Sequence, residues 1–424
     1  MLDTYAGGTV APFRVGEWLP SDQAFLERWL QGIIDKTHAG DQPLHPVIAD
    51  FRDLIECDPE IYMLFHQMFE EIPKKAPFNR DPSGTPQVRD YVHMLELLNT
   101  ILTHAPEYNK SGLVGFPINT IFDWPMGTAA GFAAFLNPAV NAQLKKILEE
   151  WARFLSSSAS THVLSEDPHR GWFGADARKA MPDFDTEFLC EPRQPHHGFR
   201  SWDDFFTREF RPGARPVAMP EDDAVIVNAC ESAPYRISRH VRLHDRFWIK
   251  SQPYSIAHML ANDPLAPQFL GGTVYQAYLS PLSYHRWHSP VAGTVIKVCV
   301  KDGTYYSEAP AMGFDPAGPN DSLAYITAVA TRALVFIQAD NPAIGLMCVL
   351  AVGMCEVSTC QITAHAGQHV GKGEQIGMFH FGGSTHCLIF RPGVELEFDL
   401  HGQKPGLKSR NIHVNARIAS LVVR

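Results

Sequence analysis

The feature that most constrains this chain is a pair of glycines inside an apolar run near its C-terminus. The run is GMFHFGGSTHCLIF, residues 377–390, with Gly382 and Gly383 at its centre. Glycine weakens a strand interior and usually marks a bend or a close approach of another backbone. Two interpretations are open: an ordinary hairpin turn, or a peptide bond between Gly383 and Ser384 that must stay reachable.

Ser384 is a candidate nucleophile only if other residues supply a base. A serine hydroxyl reacts poorly until a base takes its proton, and that base is usually a histidine oriented by a carboxylate. The chain offers His285 and His288 in SPLSYHRWHSPVAGTV, and Glu231 in NACES. Each also fits a structural role: Ser384 a turn, His288 a core position, Glu231 a strand end. Because G-x-S-x-G is absent, an ordinary esterase or protease is not favoured.

Composition limits the classes of protein that need to be considered. The 424 residues are 45% hydrophobic and 19% charged, which is typical of a globular protein of one or two domains. The formal net charge of −10 argues against a nucleic-acid partner and against docking on an anionic membrane. No signal peptide is evident, and the longest apolar stretch, residues 344–355, predicts a buried strand. The cysteines form no CxxC pair, which favours reduced thiols in a cytoplasmic protein without a metal site.

The pattern along the chain predicts an α+β fold in three parts. Residues 1–160 form a helical N-terminal domain, in which NPAVNAQLKKILEEWARFL predicts a helix with Asn137 as N-cap and Pro138 in the first turn. Residues 161–200, rich in polar residues and proline, predict a linker or covering segment. Residues 201–424 carry short β-rich runs separated by Gly and Pro, which predict an antiparallel-rich catalytic domain.

An internal echo predicts barrel-sandwich, lipoyl-like character in the β domain. The segments HSPVAGTVIKV (288–298) and TAHAGQHVGKGEQIGMF (363–379) resemble the two halves of a lipoyl or biotin carrier domain. A carrier presents a lysine on an exposed turn, whereas the comparable turn here offers Ser384. The architecture is therefore expected without the carrier function.

Three segments together resemble the phosphatidylserine decarboxylase family. YHRWHSPVAGTV is similar to its Y-H-R-x-H-x-P-x-x-G signature, FGGST to its G-S-T processing site, and FFTREFRPGARPV to its F-F-x-R-x-x-x-x-G-x-R-P segment. The long helical region before them, with no evident membrane-docking element, resembles the soluble fungal branch, which contains an L-tryptophan decarboxylase.

The resemblance implies autocatalytic cleavage between Gly383 and Ser384. Ser384 would attack the carbonyl of Gly383, and elimination from the resulting ester with loss of ammonia would leave a covalently bound pyruvoyl group as cofactor. His288 matches the family's base for this cleavage, and Glu231 stands where the family has the aspartate that partners it. His285 matches the histidine that returns a proton to the product carbon.

The resemblance also implies a pyruvoyl-dependent carboxy-lyase that is made as a zymogen. Its cleaved chains, 1–383 and 384–424, would stay together as partners, and a homo-oligomer is a further expectation. The expected substrate is a free aromatic amino acid, tryptophan first, with phosphatidylserine as the alternative; the substrate-binding residues are not identified. No nucleic acid and no stable membrane association are expected. An uncleaved binding protein and a pyridoxal-phosphate decarboxylase stay open.

Overall fold

The computed structural model describes most of the chain, and within it the fold is α+β as predicted. The described residues are 4–5, 8–9, 23–39, 43–72, 88–108, 117–245, 254–280, 282–307, 322–357, 359–381 and 384–422. Gly382, Gly383 and the side chain of Ser384, on which the interpretation of the glycine pair depends, lie outside them.

Helices make up the N-terminal part of the described chain. They are α1 (Gln23–Ala39), α2 (Pro46–Cys57), α3 (Pro59–Glu70), α4 (Tyr91–Ile101), α5 (Pro117–Met126), α6 (Ala129–Leu136) and α7 (Pro138–Leu155). α7 has the predicted cap, because the Asn137 side chain accepts hydrogen bonds from the backbone N–H groups of Ala139 and Val140. Its predicted apolar stripe is buried throughout: Val140, Leu144, Ile147, Leu148, Trp151 and Leu155.

The segment 161–200 is folded and buries an aromatic cluster of its own. It contains α8 (Ala175–Ala180) and α9 (Phe184–Glu187). The Phe173 ring stacks on His197 with centroids 3.6 Å apart. The buried aromatic side chains are Trp172, Phe173, Phe184, Phe188 and Phe199. The segment is therefore folded, and its role as a linker or covering segment and its bounds stay predictions.

A seven-stranded antiparallel sheet dominates the rest of the chain. Its strands, in spatial order, are β11 (His369–Val370), β7 (Gly293–Lys301), β8 (Arg332–Ala339), β9 (Leu346–Gly353), β13 (Ser384–Phe390), β5 (Thr273–Leu279) and β4 (Ala233–Arg239). β9 is buried at every position, which confirms the buried strand predicted within 344–355.

Smaller elements complete the described fold. One three-stranded sheet is β10 (Thr359–Ile362), β12 (Gln375–His380) and β6 (Arg286–His288), and a second is β14 (Leu396–Phe398), β15 (Arg417–Leu421) and β3 (Val225–Val227). The two-residue strands β1 (Thr4–Tyr5) and β2 (Gly8–Thr9) pair with each other. Short helices are α10 (Trp202–Phe206), α11 (Ile256–Met259) and α12 (Leu323–Val329).

The two segments of the internal echo contact one another in the folded chain. β7 pairs with β11, and β6 pairs with β12. The described strands nevertheless form separate sheets and do not close into a barrel. The lipoyl-like barrel-sandwich prediction is therefore not confirmed.

Buried contacts join the helical region to the sheets. The backbone N–H of Tyr305 donates to the side-chain oxygen of Asn141 on α7 at 3.1 Å. The ring of Trp151, also on α7, lies 5.9 Å from that of Phe381. The helices thus form part of the surroundings of the strand that leads to the glycine pair. None of the described helices combines the length and hydropathy needed to cross a membrane.

Candidate active site

The strands on the two sides of the glycine pair belong to different sheets. β12 ends at His380 and pairs with β10 and β6. β13 begins at Ser384 and pairs with β5 and β9. Because the two flanking strands do not pair with each other, the hairpin interpretation is wrong. The described chain belongs to one sheet up to His380 and to another sheet from Ser384 onward.

Phe381, the last described residue before the pair, has a strained backbone and an anchored side chain. Its φ of 65° lies in the left-handed region, which costs about 1–2 kcal/mol for a residue other than glycine. Its ring is buried against Trp151 at 5.9 Å and Trp202 at 6.2 Å between centroids. Aromatic packing thus holds the chain in a strained turn directly before Gly382.

On the other side of the pair, strand pairing fixes the backbone from residue 384 onward. Ser384 lies opposite Leu279 of β5 and Gly353 of β9. The next residue, Thr385, is fully buried, and its hydroxyl donates to the carbonyl of Ala277 at 2.8 Å. All seven residues of β13 are paired on both sides. The segment after the glycines therefore has its own attachment to the sheet.

The ring of His288 is held in one tautomer. Nδ1 lies 2.7 Å from the carbonyl oxygen of Gly373, which can only accept, so Nδ1 carries the proton. Nε2 then accepts a hydrogen bond from the Tyr284 hydroxyl at 2.8 Å. Burial lowers the pKa of His288, and the ring is therefore neutral at physiological pH. Nε2 is the basic atom that this histidine can offer.

Glu231 is buried, and its described contacts join it to Arg215. The guanidinium Nη2 of Arg215 lies 2.9 Å from Oε1 of Glu231, and the backbone N–H of Val414 donates to Oε2 at 2.7 Å. Both ring nitrogens of His288 are engaged elsewhere, although its backbone N–H donates to the carbonyl of Ala229 at 2.8 Å. The two residues thus share one corner of the fold, and their direct pairing stays a prediction.

Removing the positive partner of Glu231 should destabilise the protein. In R215M the thioether can still pack on Phe210, whose ring lies 4.3 Å from the guanidinium carbon. Among its described contacts, buried Glu231 then keeps only the backbone N–H of Val414 and the exposed His413 ring, whose Nε2 lies 3.8 Å away. We expect a loss of about 3 kcal/mol in the free energy of unfolding, measured by urea denaturation. The matched control is R200M, because Arg200 is 88% exposed and its pair with Asp204 contributes little. Equal stabilities for both variants would contradict this account of Glu231.

His285 is fully buried beside the strand that leads to the glycines. Its ring stacks on Phe206 with centroids 4.0 Å apart. Its carbonyl accepts a hydrogen bond from the backbone N–H of Phe379 on β12 at 2.9 Å. His285 and His288 thus lie at the two ends of the segment that pairs with β12. Among the described residues, no group of three or more His, Cys, Asp or Glu side chains could hold a metal ion.

Sequence reasoning missed two polar groups of this region. Tyr284 stands inside the quoted histidine segment, and its spacing of four from His288 was the available signal. Glu356 follows β9, three residues after Gly353, and is fully buried. Its Oε1 accepts the backbone N–H of Asn119 on α5 at 2.8 Å, and burial raises its pKa to about 8. A lone acidic residue in the apolar stretch VGMCEV was its only signal.

Comparison with known proteins shows similarity to decarboxylases over almost the whole chain. Residues 202–416 match a protein-family model described as phosphatidylserine decarboxylase, and residues 45–181 match a second family model with the same description. The L-tryptophan decarboxylase of Psilocybe cyanescens is 37% identical over 96% of this chain and 95% of its own length. The L-tryptophan decarboxylase of Psilocybe cubensis is 36% identical over 97% of this chain and 96% of its own length. Decarboxylase iboD of Amanita muscaria is 44% identical over 67% and 86%.

These matches define an enzyme of the carboxy-lyase class. The chain belongs to the phosphatidylserine decarboxylase family. The family resemblance expected from the histidine, G-S-T and F-F-x-R segments is therefore confirmed.

Proposed function

We propose that this protein is a pyruvoyl-dependent decarboxylase of a free aromatic L-amino acid, tryptophan first. It would form its own covalently bound cofactor by cleaving the Gly383–Ser384 bond. The observation that carries the proposal is the change from one sheet to another between His380 and Ser384, with both flanking strands independently paired. The chain can be cut there without releasing either end.

The family resemblance assigns a residue to each step of self-cleavage at this bond. The Ser384 hydroxyl would give its proton to Nε2 of His288 while its oxygen attacks the Gly383 carbonyl. The peptide C–N bond would then break as Nε2 passes that proton to the departing nitrogen, which leaves an ester. Elimination would then take the α-proton of residue 384, break its Cβ–O bond and release the carboxylate of Gly383. Water would enter and ammonia would leave, converting Ser384 into a pyruvoyl group. The strained backbone at Phe381 favours this reaction, because cleavage lets the turn relax.

The fold also suits the cleaved state. β13 begins at the residue that would carry the new group, and its pairing with β5 and β9 holds the chain 384–424 to the chain 1–383. A pyruvoyl group there supplies an electron sink for the loss of CO₂ from an α-amino acid. His285, buried against Phe206, would return a proton to the α-carbon of the product.

The choice of substrate is supported by the names of two relatives that match this chain almost from end to end, both called L-tryptophan decarboxylase. The family name favours phosphatidylserine as the second candidate, which would make the product phosphatidylethanolamine. A cytoplasmic location, the lack of stable membrane association and a homo-oligomer stay predictions.

A substrate screen tests the proposal. The purified protein is incubated with tryptophan, tyrosine, phenylalanine, or vesicles that contain phosphatidylserine, and the amine product is measured by chromatography. We expect an aromatic amine, with tryptamine formed fastest. Formation of phosphatidylethanolamine alone would replace the lead proposal by the second candidate.

A further inference from the structure

Two buried polar side chains lie on the same face of the sheet as residue 384. His386 is two positions along β13 from Ser384, so the strand's alternation puts both positions on one face, about 6.7 Å apart at a rise of roughly 3.35 Å per residue. Tyr275 on β5 is opposite Leu388, on that same face. The rings of His386 and Tyr275 meet edge to face with centroids 6.1 Å apart.

Within the described part of the chain, these two groups have no hydrogen-bond partner. Both ring nitrogens of His386 and the hydroxyl of Tyr275 are buried and unpaired. A buried polar group left unpaired costs about 1–3 kcal/mol, so native proteins keep few of them. The opposite face of the same strands is different: Gln276 donates to Thr385 at 3.0 Å and accepts from Tyr254 at 2.5 Å.

The pair is neutral; His386 lies between small apolar side chains, and the Tyr275 ring stacks on Phe398 with centroids 5.7 Å apart. Burial lowers the pKa of His386 to about 3 and raises that of Tyr275, so neither carries charge at physiological pH. The residues opposite His386 on the two neighbouring strands are Ala277 and Ala351. A neutral imidazole offers one donor and one acceptor, and a phenol can do both. This chemistry suits an uncharged N–H or O–H group and does not suit a carboxylate or phosphate.

We infer that His386 and Tyr275 bind the polar atom of the substrate's side chain, such as the indole N–H of an aromatic amino acid. The inference rests on the proposed function, because it requires a substrate that is bound at residue 384. From that position the substrate can reach the sheet face that carries His386 and Tyr275. A site built to hydrogen-bond one substrate group discriminates strongly against an analogue that lacks it. The pair is thereby a determinant of specificity and takes no part in self-cleavage.

The test compares substrates in the variants H386L and Y275F. Intact mass first establishes that each variant cleaves itself. kcat/KM is then measured for tryptophan, 1-methyltryptophan and phenylalanine. We expect kcat/KM for tryptophan to fall about 10- to 100-fold. The other two substrates lack the ring N–H and should change less than about threefold.

A stability measurement separates binding from a structural role. Because the ring nitrogens of His386 have no hydrogen bond to lose, H386L should unfold at a temperature no lower than that of the parent protein. Q276L, which breaks paired bonds on the opposite face, should lower that temperature. Equal losses of kcat/KM for all three substrates, or a marked loss of stability in H386L, would overturn the inference while the proposed function stands. A parent protein that turns over phosphatidylserine and none of the amino acids would overturn the proposed function and the inference with it.

Discussion

The variant S384A should remain a single uncleaved chain without decarboxylase activity. Alanine has no hydroxyl to attack the Gly383 carbonyl, so neither the ester nor the pyruvoyl group can form. Because decarboxylation depends on that electron sink, we expect activity to fall by at least about a thousandfold. Denaturing electrophoresis measures the cleavage, and release of CO₂ measures the activity.

The matched control for this variant is T385S. Thr385 is the next residue on the same strand, and a serine there keeps the hydroxyl that donates to the carbonyl of Ala277. T385S should therefore cleave and decarboxylate like the parent protein. Cleavage of S384A at the parental rate would show that the nucleophile lies elsewhere.

The variant H288Q should cleave itself about 10²- to 10⁴-fold more slowly than the parent protein, because the amide cannot take the serine proton. Translation of the precursor in vitro, followed by a time course on denaturing gels, measures the rate. The matched control is H369Q, because His369 is exposed and its described contact is with Asp340 at the surface. That control should cleave at the parental rate, and equally slow cleavage in both variants would remove His288 as the specific base.

The pH dependence of precursor cleavage follows from the same histidine. The reaction requires the neutral ring, which predominates above the pKa, and burial lowers that pKa below the ordinary value of about 6.5. The rate should therefore fall as the pH is lowered, and the midpoint of that fall should lie below about 6.5. A midpoint above the ordinary histidine value would contradict the buried, neutral His288 described above.

Local features of this fold were predictable from the sequence, whereas long-range ones were not. The cap of α7 depends on Asn137 and its immediate neighbours, and the buried strand β9 on one continuous apolar run. The partners of β13 are β5 and β9, which are not its neighbour β12 across the glycine pair. Because local sequence does not show such pairing, the glycine pair was equally consistent with a hairpin turn. The polar composition of residues 161–200 predicted a linker or covering segment, because the packing of its aromatic residues against one another depends on the folded chain.

The candidate site shows the same limit. The family segments predicted Ser384, His285, His288 and Glu231 as site residues. They could not show that Glu231 contacts Arg215, or that Tyr284 holds the ring of His288, because side-chain packing across separate elements decides such contacts. His386 went unnoticed because a single histidine in an apolar strand is usually a core residue, and only its unpaired nitrogens distinguish it.

If this chain makes its own pyruvoyl group at residue 384, the intact mass of the purified protein under denaturing conditions will reveal it. We expect two chains, residues 1–383 and 384–424, the smaller one lighter by one molecule of ammonia than a peptide beginning with serine. Treatment with a carbonyl reagent should modify that smaller chain alone. A single mass for the full-length chain would contradict the proposed formation of a pyruvoyl group, and so would a smaller chain that still begins with serine.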